Sequence, residues 1–258
     1  NEEEIKEVPW SEYFLGVLAK EMPENYEEEA LKAQAVCARS YAIKQMAGKR
    51  LAALGAHVDD SVSFQVYNNL REDAASIAAV NETKGQVVFA ENQVAETYFY
   101  SVSAGVSAGI KEVWFAKKDR SYLMPCVLLG DSRKTLDLQK EADFSEFLQG
   151  EIKSYDTNSP WYRWRTTVSE KQLQQFISEK IKSRYEKNPT QIQTKQKDGT
   201  FFSTGQTELG EIKKVEILKR GKSGVAVMAQ ITGSKNTLRI YTEYNLRNLF
   251  GGEKLIYL

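Results

Sequence analysis

Pro23 divides the first fifty residues of this chain. Residues 10–20, WSEYFLGVLAK, place Tyr13, Phe14, Val17 and Leu18 at helical spacing. A residue that precedes proline avoids the helical region, so Met22-Pro23 ends that helix. Asn25 then reads as the N-cap of a second helix, with Glu27, Glu28 and Glu29 in its first turn. This helix should run from about Tyr26 to Met46. Along it Leu31, Ala35, Ala38 and Ala42 make a narrow seam of small side chains that another element can approach closely. Lys32 and Arg39 are seven residues apart and share a face. Glu21 is left at the corner, the last residue before the break, where it can project into a cleft.

The rest of the chain alternates less regularly. Residues 69–81 read as a third helix with Leu70, Ala74, Ile77 and Ala78 inward. GQVVFA (85–90) and VAETYFYSVS (94–103) read as a hairpin around Glu91-Asn92. Residues 104–135 are loop-rich, with Trp114, Phe115 and Tyr122 among them. RWRTTVS (163–169) reads as a strand, and EKQLQQFISEKI (170–181) as a helix with Leu173, Phe176, Ile177 and Ile181 inward. Residues 188–208 are polar and loop-like. EIKKVEIL (211–218), GVAVMAQITG (224–233) and NTLRIYT (236–242) form an antiparallel meander, followed by a short helix, EYNLRNLFG (243–251), that ends at glycine. Helices and hairpins without regular βαβ alternation predict an α+β fold. The expected architecture is a helical N-terminal region packed on antiparallel hairpins, then a smaller C-terminal β-meander plus helix, with a cleft between them.

Composition narrows the chemistry. With 258 residues the chain can build one large domain or two small ones. Lys+Arg and Asp+Glu are equal at 35 each. A zero net charge argues against a general nucleic-acid binder, so no nucleic-acid partner is expected. No run of about 18 apolar residues is long enough to span a membrane. There is a single histidine, His57, and there are two cysteines, Cys37 and Cys126. A histidine-dependent triad would have to use His57, for which the sequence offers no partner. Three such residues scattered along the chain do not make a zinc site. No metal and no cofactor are therefore expected. Cys37, in an alanine-rich helix, reads as a buried thiol, while a Cys37–Cys126 disulfide stays open as the alternative. Carboxylates are left as the groups best able to carry chemistry.

Several segments together resemble a known family. "VLAKEMPENYEEEALKAQAVCARSYAI" closely resembles the opening motif of the stage II sporulation protein D (SpoIID/LytB) family, an EMP tripeptide followed by an alanine-rich helix. "HVDDSVSFQVY" (57–67) is similar to that family's Asp-rich segment ending in QVY. "ETKGQVVFAENQVAETYFYSVSAG" is similar to its hairpin, which leads into a Ser-x-Ser-Gly-Gly loop. "SPWYRWRTTVSEKQL" and "KKVEILKRGKSGVAVMAQITGSKNTLRI" match later segments in pattern. The resemblance covers residues 8–251 as one SpoIID-like domain, divisible into subdomains 8–160 and 161–251. Two departures stand out. Some family members carry metal-binding cysteines where Asp59 and Phe64 stand here. Ala104 replaces a glycine in the serine loop, a change that matters if the position needs positive φ or close approach to a sugar.

The resemblance implies a lytic transglycosylase that cuts peptidoglycan between N-acetylmuramic acid and N-acetylglucosamine and leaves a 1,6-anhydro end. It implies glycan strands as the partner, with a cell-wall amidase and membrane proteins as further candidates. It also implies an extracytoplasmic, wall-facing location, with an anchor in an N-terminal segment outside this chain. Most glycosidases need two carboxylates. This reaction needs one, because the muramic C6 hydroxyl is already tethered to the reacting sugar and acts as the nucleophile. A carboxyl that is protonated near pH 7, as burial permits, can serve as acid and then as base.

On the residues alone, Glu21 reads better as a solvated helix end; the family resemblance reverses this and maps the catalytic carboxyl onto it. Lys32 and Arg39 fall on motif positions and would hold muramic lactyl carboxylates, or simply form a basic helix face. Gln65 and Tyr67 alternate onto one side of SFQVY and would line the cleft, or belong to a half-exposed strand. Tyr98 and Trp114 would stack on sugar rings, or pack as core beside the hairpin. Ser101 and Ser103 would bond sugar hydroxyls, or cap a strand end. Two rival functions remain: a non-catalytic wall-binding or amidase-enhancing module on the same fold, and a conventional hydrolase with Asp59 or Asp60 as second carboxylate.

Overall fold

The computed structural model describes residues 4–61, 64–67, 73–114, 120–128, 137–150 and 152–251. The chain divides into two compact units, Asn1–Tyr100 and Ser101–Leu258. The class is α+β, as expected.

The first unit is built on the predicted corner. Helix α1 (Trp10–Glu21) ends where Met22 turns extended at φ −139°, its N–H still held by Leu18 O. Helix α2 spans Glu28–Gly48, with Glu27 and not Asn25 at its N-cap position and no side-chain cap there. The reason is local. Tyr26 N–H bonds Pro23 O at 3.2 Å, so residues 23–26 close a turn that contains Asn25. Helix α3 (Ala74–Glu82) starts later than predicted, where the Asp73 side chain accepts from Ser76 N–H at 2.7 Å. Residues 69–72 and Leu70 fall outside the described residues. Phe14 and Leu18 of α1, Leu31, Ala35 and Ala42 of α2, and Ala79 and Val80 of α3 form one core. The small-residue seam of α2 is what brings the three helices together.

The hairpin is real and far shorter than expected. Strands β1 (Phe89–Ala90) and β2 (Gln93–Val94) flank Glu91 at φ 50° and Asn92 at φ 60°. Two consecutive left-handed residues fit the tight turn that such hairpins favour. The flanking segments share one further bond, Ala95 N–H to Val88 O at 2.8 Å, and otherwise bond α2. Val88 N–H donates to Ser40 Oγ at 2.8 Å, Thr97 Oγ1 to Cys37 O at 2.7 Å, and Lys44 Nζ to Gln93 Oε1 at 2.8 Å.

The second unit holds the short helix α4 (Ile110–Val113), then α5 (Glu141–Gln149), to which the sequence reading assigns no element. Helix α6 (Glu170–Lys187) begins at a capping box in which Ser169 and Gln172 satisfy each other's backbone N–H. Strands β3 (Ile192–Lys195), β4 (Phe201–Phe202), β5 (Ile212–Arg220), β6 (Ala226–Gly233) and β7 (Thr237–Tyr241) form an antiparallel sheet in the order β4-β3-β7-β6-β5. Helix α7 (Glu243–Phe250) follows, and its Leu246 and Leu249 share a core with Ile177 and Ile181 of α6 and with Ile192, Ile231 and Ile240 of the sheet. The meander and last helix appear as predicted.

Two expectations fail here. Residues 188–208 are not all loop, because β3 and β4 lie within them. Strand β3 buries only Ile192 and Thr194, and Thr194 is admitted because its hydroxyl donates to Gln206 O at 2.9 Å. Residues 163–168 form no strand; Arg163 spends its guanidinium on the carbonyls of Ala104 and Tyr162 and of Phe147 in α5 instead.

Candidate active site

Glu21 closes α1 and is half-buried. Its Oε1 accepts the Val66 N–H at 3.0 Å. This bond ties the helix corner to the QVY segment 45 residues on. Gln65, 1% exposed, accepts a hydrogen bond from the Tyr13 hydroxyl on Oε1 at 3.2 Å, while its buried amide nitrogen has no partner among the described residues. Tyr67 stacks on Tyr13 with centroids 5.7 Å apart and planes 14° apart. Glu21, Gln65 and Tyr67 are thus gathered around one aromatic side chain, Tyr13.

Burial pushes the Tyr13 phenol far above its ordinary range, and Tyr41, Asp59 and Glu21 add to the effect. Burial also raises Tyr41, where nearby Arg50 opposes the shift and Glu96 and Asp59 reinforce it. Glu21 and Asp59 therefore both act on the Tyr13 hydroxyl, which stays protonated as a donor across physiological pH. Tyr98 meets Tyr41 edge-on at 6.1 Å. Arg50 lies over the Phe64 ring at 4.6 Å, and Asp59 Oδ1 accepts from the Ser61 N–H and hydroxyl. His57 is exposed. Both cysteines are free thiols, so the disulfide alternative falls, and burial raises the pKa of Cys37.

Lys32 and Arg39 do share a face, and that face looks at α3. Arg39 is 7% exposed. Its Nη1 donates to Thr83 O at 2.9 Å and Gln86 O at 2.8 Å, its Nη2 to Val80 O and Thr83 Oγ1 at 3.4 Å, and it lies over Phe14 at 5.2 Å. Lys32 pairs with Glu28, Glu29 and, on α3, Glu82. The Glu28 carboxylate, then Glu82 and Glu29, hold its ammonium well above the usual range. At the C-terminus of α3, Arg39 meets free carbonyls and Lys32 meets the Glu82 carboxylate, and both positive charges suit the helix dipole. In this structure Arg39 caps α3 and Lys32 is engaged by three carboxylates.

Ser101 and Ser103 belong to the second unit. Ser101 is exposed. Ser103 is buried, with N–H and Oγ both donating to Asp156 Oδ2, at 2.9 and 2.6 Å, and Oγ accepting the Gly105 N–H at 3.1 Å. Gly105 takes φ 97°, whereas Ala104 is not in the left-handed region. The strained position of the loop is therefore still a glycine. Trp114 is exposed.

Residues 1–89 match the family model described as SpoIID, stage II sporulation protein. The stage II sporulation protein D of Bacillus subtilis (strain 168) is 33% identical over 124 residues, 43% of this chain and 36% of the relative. The N-terminal region of the chain is thus similar to the SpoIID family. The chain also resembles the amidase enhancer of Bacillus subtilis (strain 168), 34% identical over 111 residues, 40% of this chain and 15% of that protein. An uncharacterized protein of Brachyspira hyodysenteriae is 33% identical over 111 residues, 43% of this chain and 30% of that one. The match spans about a third of the sporulation relative's length. Residues 108–198 match a domain of unknown function, DUF8618. Glu21, Tyr13, Gln65, Val66 and Tyr67 all lie inside the SpoIID region; Tyr98, Ser101 and Ser103 lie beyond it.

The sequence reading missed Tyr13 and Tyr41 as polar members of the site. The helical period marked Tyr13 as inward, but nothing local shows that its hydroxyl finds Gln65, 52 residues away.

Proposed function

We propose that this chain is a peptidoglycan lytic transglycosylase acting on peptide-stripped strands, in sporulation or wall remodelling, with Glu21 as its single acid/base. The carrying observation is the Glu21 Oε1 to Val66 N–H bond, which joins the two most family-like motifs at one carboxylate. Similarity to a stage II sporulation protein D and to an amidase enhancer supports a wall-related role and an extracytoplasmic, wall-facing location.

In this reading Val66 fixes one oxygen and leaves Oε2 to handle the proton. Protonated Glu21 gives its proton to the glycosidic oxygen as the C1–O bond breaks. The muramic C6 oxygen bonds C1 and returns its proton to the carboxylate. No water is consumed. The tether replaces a bimolecular attack and is worth several kcal/mol, roughly the lower part of the intramolecular range. Tyr67 and Tyr98 line the approach, and the Tyr13 hydroxyl, kept protonated, holds the buried Gln65 amide in place behind them. Within the second unit, Ser101 exposes its hydroxyl and Ser103 shapes its loop through Asp156. Lys32 and Arg39 hold α3 under this floor.

The test is mass spectrometry of products from peptide-free strands, parent against Glu21→Gln. Anhydro-ended fragments from the parent, reduced on the order of 10²–10⁴-fold in the variant, are expected of a lost general acid. Fragments heavier by one water would mean a hydrolase and direct attention to Asp59. Binding without cleavage by either protein would make this a wall-binding or amidase-enhancing module.

A further inference from the structure

The segment WYRWR, residues 161–165, has no part in the reaction above. In the second unit its last three residues, Arg163, Trp164 and Arg165, line an open groove of about 950 Å³, together with Glu141 and Phe144 of α5 and Arg220 at the end of β5. Three arginines face one glutamate there. Arg220 is committed: Nε and Nη2 fork onto Glu141 at 2.7 and 3.0 Å, and the guanidinium lies 3.7 Å from the Phe144 centroid. Arg163 is partly committed. Its Nη groups donate to the carbonyls of Ala104, Tyr162 and Phe147, while its Nε–H is buried without an acceptor. Arg165 is exposed and has no hydrogen bond or ion pair among the described residues. Beside it the Trp164 indole is 53% exposed.

A free guanidinium matches a carboxylate through two parallel N–H donors. A flat indole with a negative π-face suits the C–H face of a pyranose ring. A nucleic acid would ask for a broad basic field, which a chain with 35 acidic and 35 basic residues lacks. We propose that this groove binds an anionic saccharide, a pyranose carrying a carboxylate, with Trp164 under the ring and Arg165 on the carboxylate. The lactyl carboxylate of a peptide-stripped strand is that group, a choice that rests on the glycan reading of the chain. The site lies in the unit that does not contain Glu21.

The experiment uses the full chain carrying Glu21→Gln, which keeps the ligand intact. It is titrated with a peptide-free tetrasaccharide of alternating N-acetylglucosamine and N-acetylmuramic acid, followed by indole fluorescence and calorimetry. Chitotetraose, with the same rings and no carboxylate, and inorganic phosphate are run alongside. The expected result is a fluorescence change lost in Trp164→Phe, with affinity down on the order of tenfold in Arg165→Ala and partly restored in Arg165→Lys. Both residues are exposed, and a thermal melt confirms that the variants fold. Equal binding of chitotetraose, unchanged affinity in Arg165→Ala, or displacement by millimolar phosphate would overturn the proposal. The two readings fail separately. Cleavage by the parent without sensitivity at Arg165 sinks the groove alone. Sensitivity at Arg165 with no cleavage by the parent sinks the transglycosylase alone.

Discussion

Arg39→Ala should unfold the end of α3 before it touches any chemistry. The guanidinium makes two short bonds, to Thr83 O and Gln86 O, and two contacts at 3.4 Å, and it covers the Phe14 ring. A hydrogen bond from a charged donor nets about 1.5–3 kcal/mol. Against that, burial of the charge is costly, and it pulls the Arg39 pKa below its ordinary value. Water entering the vacated space would meet part of the carbonyls' need. The balance is a loss of ~2–4 kcal/mol, in the range for a broken buried network. For a unit of about 100 residues, each kcal/mol lowers the melting temperature by roughly 4–8 °C. Thermal unfolding and hydrogen exchange of amides 74–86 measure this directly, and exchange should quicken first at α3. Arg39→Lys should recover less than half, because one ammonium cannot reach both carbonyls. Unchanged melting and unchanged α3 exchange, combined with weaker binding of glycan strands, would show that Arg39 serves the ligand and that the capping argument is wrong.

Other substitutions test other parts. Asp156→Ala strands the Ser103 N–H and hydroxyl and should cost ~1–3 kcal/mol, with faster exchange of the Gly105 amide as the local readout. Gly105→Ala forces a side chain onto φ 97° and should destabilise by about 1–3 kcal/mol, whereas Ala104→Gly should stay within about 1 kcal/mol and leave activity unchanged; paired thermal melts decide. The hydrogen bonds from Arg220 hold the Glu141 carboxyl below its usual 4.5, against the opposing effect of burial. A depressed carboxylate contributes stability above its unfolded pKa and loses it as pH falls through the folded value. Glu141→Gln should therefore melt lower than the parent at pH 7, and the two curves should converge below about pH 4.

The helix corner was legible because proline acts within two residues, and local rules suffice for it. The α2 seam, the Glu91-Asn92 turn, the C-terminal meander and the last helix were legible for the same reason: their signals are periodic or lie in one turn. Strands β3 and β4 were not, since a strand that buries one isoleucine and one threonine looks like polar loop until its partners are known. The length of the hairpin was not either, because Ser40, Cys37 and Lys44 of α2 compete for the same backbone and side chains.

At the site the division is the same. By itself the sequence determined that Glu21 stands at a break, that Lys32 and Arg39 share a face, and that carboxylates are the available acid/base groups. Only the tertiary structure decided which way each one faces. Glu21 meets Val66, Tyr13 meets Gln65, and Arg39 turns onto carbonyls 44 and 47 residues away. Helical period ranks faces by polarity over a few turns. It carries no information about which distant backbone groups lack partners, and a buried guanidinium goes where those groups are.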